Sequence, residues 1–331
     1  MTAGREDAAG RRDADPVLSV RDLRKYYPVT SGVLGRKTGD VKAVDGVSFD
    51  LSPGETLAVV GEWGCGKSTM AETLVGLNEA TGGEVWFRGE PLSTGTDRSV
   101  RREVQMVFQD PFSTLNERMT VGRIVAEPLA IHGERSEDRE GYVRDLLDTV
   151  GLDPDRYYRA FPHELSGGQR QRVGIARALA LNPSLVVADE PVSALDVSIQ
   201  AGILELLADL QGEFGLTYLL ITHDMSVVRQ IADRVAVMYL GRIVELGSVD
   251  AVFEDPQIEA RGMLQRVSHP TAGEMQLPGS PMTFDGYESG ARRHPPLLGE
   301  HTEEVLCELG YDDERLADLR AHGVFGGTDK K

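Results

Sequence analysis

Eight residues, Gly61, Glu62, Trp63, Gly64, Cys65, Gly66, Lys67 and Ser68, set three glycines, a lysine and a hydroxyl in the spacing GxxxxGKS, with Thr69 next. Glycines let backbone N–H groups crowd around phosphate oxygens, and a helix opening at the lysine aims its positive end at the same anion. Lys67 is expected to reach the β and γ phosphates of a nucleotide. Ser68 is expected to place its hydroxyl on Mg²⁺, a cation that takes hard oxygen ligands and keeps several waters. A second chemical group, Asp189-Glu190, ends the apolar run Leu185 to Ala188. Two adjacent acids beside a phosphate loop can divide the work, Asp189 holding the Mg²⁺ hydration shell while Glu190 polarises a water in line with the γ phosphate. A third, Leu165-Ser166-Gly167-Gly168-Gln169, opens a helix expected from about Gln169 to Leu181, whose N-terminus attracts anions. A chance glycine turn would lack the strand before and the helix after; a solvated acidic pair at a strand end is the alternative for Asp189-Glu190, and the Pro191 and Ser193-Ala194-Leu195-Asp196 that follow weigh against it.

Those patterns define the elements that must carry the site. Val17 to Leu23 and Val41 to Leu51 alternate apolar and polar residues, predicting antiparallel strands before a Pro53-Gly54 turn. Thr56 to Val60 reads as a buried strand leading into the glycine loop, and Lys67 to Leu77 has helical spacing. Residues 113 to 180 read as a helical insertion, with a charged, solvated stretch from Arg135 to Arg144. Leu185 to Ala188 and Tyr218 to Ile221 read as further buried strands, and Arg234 to Leu246 as a hairpin turning at Leu240-Gly241. The expected fold is α/β: a P-loop core with an antiparallel β subdomain, a helical subdomain and a small α-containing tail. No internal repeat is seen, so one nucleotide-binding unit is expected.

Composition sets outer limits. The chain has 331 residues, 40% of them hydrophobic, enough for one large or two ordinary domains with a real core. Its net charge of −18 argues against a broad nucleic-acid footprint, which needs a basic face to replace phosphate counterions. Only six of the 35 basic residues are lysines; the acid-rich, lysine-poor balance suits solubility at high salt, and GC-rich coding accounts for it equally well. Cys65 and Cys307 stand far apart, and a disulfide at Cys65 would distort the glycine loop, so a reducing compartment is expected. No uninterrupted apolar stretch is long enough to span a membrane. Residues 1–15 are expected to be a disordered lead-in.

Taken together, Gly61 to Thr69, Gln109 in VFQDP, LSGGQ at 165–169, Asp189-Glu190, SALD at 193–196 and His223 in ITHD resemble the ATP-binding cassette ATPases over about residues 17–255. The resemblance implies that ATP with Mg²⁺ occupies the loop from Gly61 to Thr69. It also implies that Gln109 senses metal and water and links to a membrane partner, and that His223 contacts the γ phosphate. Tyr27, in LRKYYPV, matches the aromatic that stacks on adenine, with Tyr26 the adjacent alternative. The signature Leu165 to Gln169 would complete the ATP site of a second cassette, with Asp196 at the shared interface. More narrowly, LRKYYPV, VKAVDGVSFDL, MVFQDPFSTLN, FPHELSGGQRQRVGIARALALNP and VVADEPVSALDVSIQA are similar to the ATPase subunits of dipeptide, oligopeptide and nickel importers. That similarity implies two transmembrane permeases, a second ATPase chain, an external solute-binding protein, and a peripheral position on the cytoplasmic face of the cell membrane. ATP binding would close the dimer and hydrolysis reopen it. Solute choice would lie largely in the permeases and binding protein.

Two departures from that pattern stand out. Trp63 occupies a loop position where these importer subunits usually carry serine. The indole is expected to disturb a loop that depends on close backbone approach and so to lower hydrolysis. From about residue 256 onward, DPQIEARGMLQRVSHPTAGEMQLPGSPMTF and PPLLGEHTEEVLCELGYDDERLADLRAHGV resemble the C-terminal end of family III CoA-transferases of the formyl-CoA and carnitine type. That family's catalytic aspartate lies in a region with no counterpart here, so transferase activity is not carried over. Thr302 to Leu309 and Asp313 to Ala321 are expected to form two short helices, ended by Gly310 and Gly323, with too few apolar residues to enclose a core.

Overall fold

The computed structural model describes residues 15–31, 36–92, 98–110, 114–134, 138–193, 195–253, 264–271, 273–278, 296, 299–322 and 324. All but the last residue of the expected lead-in, and also Ala194, Asp255, Pro256 and Gly323, lie outside them. The chain divides into two compact units, Met1–Val252 and Phe253–Lys331.

In the first unit β1 (Leu18–Ser31) and β2 (Arg36–Leu51) form a long antiparallel ribbon. Both exceed the strands expected from alternation alone. Their outer halves, around Val29 and Val41, are exposed and pair through the backbone, so no buried face marks them in the sequence. Alternation also breaks between Val20 and Leu23, where the register shifts and Asp22 takes a φ of 51°. β4 (Gly82–Phe87) pairs with β1, and β5 (Glu90–Pro91) with β4.

A second sheet carries the site. Between β3 (Thr56–Val60), β8 (Thr217–Ile221), β7 (Leu185–Asp189) and β6 (Val104–Val107) every pairing is parallel, in that spatial order. β9 (Arg234–Tyr239) runs parallel to β3 on its other side, and β10 (Arg242–Ser248) closes that edge antiparallel. β3, β7 and β8 are buried at every residue, as strands covered on both faces must be. Period-two alternation sends Val186, Ala188, Tyr218 and Leu220 into one core, and Leu185, Val187, Leu219 and Ile221 into the other.

The first core is closed by helices: α3 (Val121–His132), α4 (Arg139–Thr149), α6 (Gly167–Leu179) and α7 (Val197–Phe214). The second holds α1 (Lys67–Leu74) against the β1–β2–β4 sheet. α1 is three residues shorter than its pattern suggested, because the chain leaves the helix at Val75 and Gly76 takes a φ of 76°. The shorter elements are α2 (Arg98–Glu103), α5 (Pro154–Tyr157), α8 (Met225–Ile231) and α9 (Val249–Phe253). The hairpin turn at Leu240-Gly241 forms as expected, both residues with positive φ.

Within the second unit β11 (Leu264–His269) and β12 (Gly273–Pro278) make an antiparallel hairpin that composition did not suggest. α10 (Thr302–Glu308) and α11 (Asp313–Ala321) match the expected helices within a residue, α11 being capped by Asp312.

Candidate active site

Parallel pairing brings the carboxyl ends of β3, β8, β7 and β6 to one edge of the sheet, where ligands of open α/β sheets gather. The glycine loop leaves β3, His223 follows β8, Asp189 and Glu190 end β7, and Gln109 follows β6. Residues up to 160 positions apart, Trp63 and His223, are therefore brought within a few ångströms by the strand order. His223 Nδ1 lies 3.0 Å from Glu190 Oε1, and Gln109 Nε2 donates to Glu190 Oε2 at 2.8 Å. Ser68 Oγ donates to Asp189 Oδ1 at 3.3 Å. Lys67 is buried, its Nζ donating to the carbonyls of Gly61 at 2.8 Å and Glu62 at 2.9 Å.

The loop needs its glycines for two reasons. Gly66 has a φ of 108°, and a Cβ there would stand 2.0 Å from the Ala43 carbonyl oxygen; one on Gly61 would stand 2.1 Å from that of Met238. The loop is thus clasped between β2 and β9. Gly241 N donates to Cys65 O at 2.9 Å, and Asp45 N to Gly241 O at 2.8 Å, so the β9–β10 turn braces the loop from above. Asp45 is held by Arg242 at 2.6 Å and by the Tyr26 hydroxyl; these hydrogen bonds, Tyr26's foremost, keep its carboxyl down at about 2.

A cavity of about 410 Å³ opens over the loop, lined by residues 63–69, Gln109 and Glu190, and by Val41, Lys42, Ala43, Leu240 and Gly241. The last five escape motif reading, because nothing in a strand pattern or a hairpin turn says that they roof a loop elsewhere. Glu190, which lines it, and the neighbouring Asp189 are both buried. Burial pushes the Asp189 carboxyl up, opposed by the Ser68 hydroxyl, so this group gains from any cation placed beside it. Glu190 holds a φ of 45°, and its N–H donates to Ile221 O at 2.9 Å, extending the β7–β8 pairing by one residue. Such a backbone is costly for a non-glycine residue, and it ends the strand with the carboxylate turned toward Gln109 and His223.

The other candidates fall into three places. Trp63 points outward, 75% exposed, and the loop keeps its glycine conformations beneath it. The steric disturbance expected of the indole is therefore not seen. Tyr27 does not line the cavity; its register partner Val41 does, while Tyr26 is engaged with Asp45. The signature residues Leu165 to Gln169 also stand off the cavity lining. Ser166 caps α6, accepting from Gln169 N at 3.3 Å, while Gln169 Oε1 accepts from Ser166 N at 2.9 Å. α6 thus starts two residues before its expected position, at Gly167. A Cβ on Gly168 would meet Ile199 Cγ2 at 2.5 Å, so glycine lets α6 begin against α7. Asp196 is the N-cap residue of α7, its side chain exposed and making no capping hydrogen bond.

Comparison with known proteins decides the family. The oligopeptide transport ATP-binding protein AppF of Bacillus subtilis (strain 168) is 48% identical over 285 residues, covering 81% of this chain and 86% of that protein. The chain belongs to the ABC transporter ATPase family. It is an ATP-binding, ATP-hydrolysing transporter subunit, and the ABC transporter family model matches residues 44–193. The glutathione import ATP-binding protein GsiA of Escherichia coli (strain K12) is 54% identical over 249 residues, which is 74% of this chain but 40% of that protein's length. Among solved structures, the dimeric post-hydrolysis state of the ATP-binding cassette MJ0796 bound to ADP and Pi aligns with a TM-score of 0.61 at 30% identity, covering 70% of this chain and 98% of that one. CbiO1 from Clostridium perfringens, part of the transporter complex cbiONQ, aligns at 0.62 and 28%, covering 75% and 96%. The family III CoA-transferase model matches residues 232–302. This match starts earlier than the resemblance read from the sequence and stops at the first residue of α10. Its opening part is β9 and β10, strands of the cassette's own sheet that clasp the glycine loop.

Proposed function

We propose that this cassette hydrolyses ATP with Glu190 as the base, to drive import of peptides or a similar small solute. The observation that carries the reading is the Gln109–Glu190–His223 cluster at the edge where the glycine loop ends. Each Glu190 oxygen has one protein partner, leaving a lone pair on each for the proton of an attacking water. Gln109 and His223 hold that carboxylate from two sides. Lys67 exchanges the Gly61 and Glu62 carbonyls for phosphate oxygens, and the α1 N-terminus faces the same charge. Ser68 and Asp189, with Gln109 beside them, offer hard oxygen donors that fit Mg²⁺. Such a cation takes its remaining ligands from phosphates and waters. When bound, Mg²⁺ supplies neutralisation of the phosphate charge.

The signature Leu165 to Gln169 and Asp196 stand away from the cavity, which supports their service to a second cassette's ATP across a dimer interface. Tyr27 lies one register partner from the cavity wall, where an adenine ring would extend the stack. A groove of about 440 Å³ lined by Leu77, Met106, Phe108, Ile131 and Arg177 opens beside Gln109. Its exposed Leu77 and Ile131 suit an apolar segment of a permease, and Phe108 is covalently next to the residue that touches Glu190. No helix among the described residues is long and apolar enough to cross a membrane. The similarity to importer ATP-binding proteins supports attachment at the cytoplasmic face through two permeases, with an external binding protein beyond them. The peptide assignment rests on the similarity to AppF and GsiA.

Glu190→Gln tests this reading. With MgATP it should retain nucleotide and accumulate as a closed dimer by size-exclusion chromatography, while Gly168→Trp in the same background should stay monomeric. A monomeric Glu190→Gln protein at saturating MgATP would contradict it.

A further inference from the structure

We propose that Trp63 is a positioning residue for hydrolysis, acting through His223 on Glu190. The inference rests on Glu190 being the base. Trp63 is 75% exposed, yet its indole meets another ring. That contact is with His223: the ring centroids are 5.6 Å apart and the planes tilted by 50°, within the range of favourable aromatic pairs.

His223 needs a second support. Its side chain is 40% exposed, and among the described residues its ring has one hydrogen-bond partner, Nδ1 to Glu190 Oε1 at 3.0 Å. One bond fixes a point, and the broad, two-fold torsion of an imidazole leaves the ring free to turn about it. The indole blocks one side of that rotation. With Nδ1–H given to Glu190, Nε2 is left as the ring's outward nitrogen. Trp63 reaches this place because the loop turns at Gly64, whose φ is 77°, after emerging from β3 through Gly61. Trp63, Gln109 and Glu190 line one cavity, so the indole is a wall of the reaction space as well as a support for the imidazole. The outward indole thus aids turnover, the reverse of the loss expected from its bulk.

The test is a double-mutant cycle on the full chain, measuring ATP turnover and, separately, nucleotide affinity by equilibrium binding. Trp63→Ser should lower kcat between about two- and tenfold, beyond any change in ATP affinity, Trp63→Phe should restore it, and Trp63→Ser should cost nothing further in a His223→Ala background. The emission of Trp63, taken as the difference between the parent and Trp63→Phe, should change when His223 becomes alanine, a readout that needs no turnover. Equal loss from Trp63→Ser with and without His223, unchanged or raised kcat in Trp63→Ser, or emission indifferent to His223→Ala would overturn the proposal. Failure of the parent to bind ATP, or turnover that survives Glu190→Gln, would instead defeat the reading of Glu190 on which it rests.

Discussion

Gly66 offers a perturbation whose cost can be worked out from the backbone. It has a φ of 108°, and an added Cβ would stand 2.0 Å from the Ala43 carbonyl oxygen and 3.1 Å from Met238 Cε. Real Cβ contacts essentially never fall below 3.0 Å, so Gly66→Ala forces the loop and β2 apart by about 1 Å. Left-handed backbone costs a non-glycine residue about 1–2 kcal/mol, and displacing packed backbone costs about as much again. Together, about 2–4 kcal/mol lowers Tm by roughly 5–15 °C for a unit of this size. The functional loss should be larger, since a shift of about 1 Å in a positioned site costs on the order of 10²-fold in rate. Gly64→Ala is the internal control: its φ is also positive, at 77°, but its Cβ would meet nothing within 4 Å. It should show roughly half the Tm loss and a much smaller loss of turnover. Differential scanning fluorimetry and phosphate-release kinetics on both variants decide the matter. Gly66→Ala no worse than Gly64→Ala in both assays would refute the idea that β2 clasps the loop.

Other outcomes follow from the same geometry. Asp189→Asn should raise the Tm of the nucleotide-free protein while stopping MgATP turnover. Burial raises the folded carboxyl above its unfolded value, so stability falls as pH rises from the unfolded pKa through the folded one, and asparagine removes that penalty. Asp45 has the opposite sign: its folded pKa of about 2 lies below the ordinary 3.8, so its stabilisation is full above about pH 4 and lost as pH falls through about 2. The Tm difference between parent and Asp45→Asn should therefore close across that window. A chain ended after Phe253 should keep its nucleotide affinity in equilibrium binding, because the residues lining the cavity run from 41 to 241.

The glycine loop, the acidic pair, the signature and the hairpin turn were legible because each is local: spacing along the chain states the chemistry. What joined them was not. Gln109 and Glu190 stand 81 positions apart and meet because β6 and β7 pair in parallel, and β6 is a four-residue run too short to announce itself. β5 is a two-residue edge strand and β4 beside it opens on exposed residues, so no clean alternation marks them. The outer halves of β1 and β2 are exposed, yet β2 places Val41, Lys42 and Ala43 over the loop. Trp63 was readable as an oddity of the loop. Its direction was not, because that depends on positive φ at Gly64 and on where β8 delivers His223.

The most direct test of the account is phosphate release from MgATP by the purified chain and by Glu190→Gln, with ATP binding measured on both. Equal binding with turnover reduced by about 10²–10⁴ in the variant is the predicted result. Comparable turnover from the two proteins would contradict the assignment of Glu190 as the base.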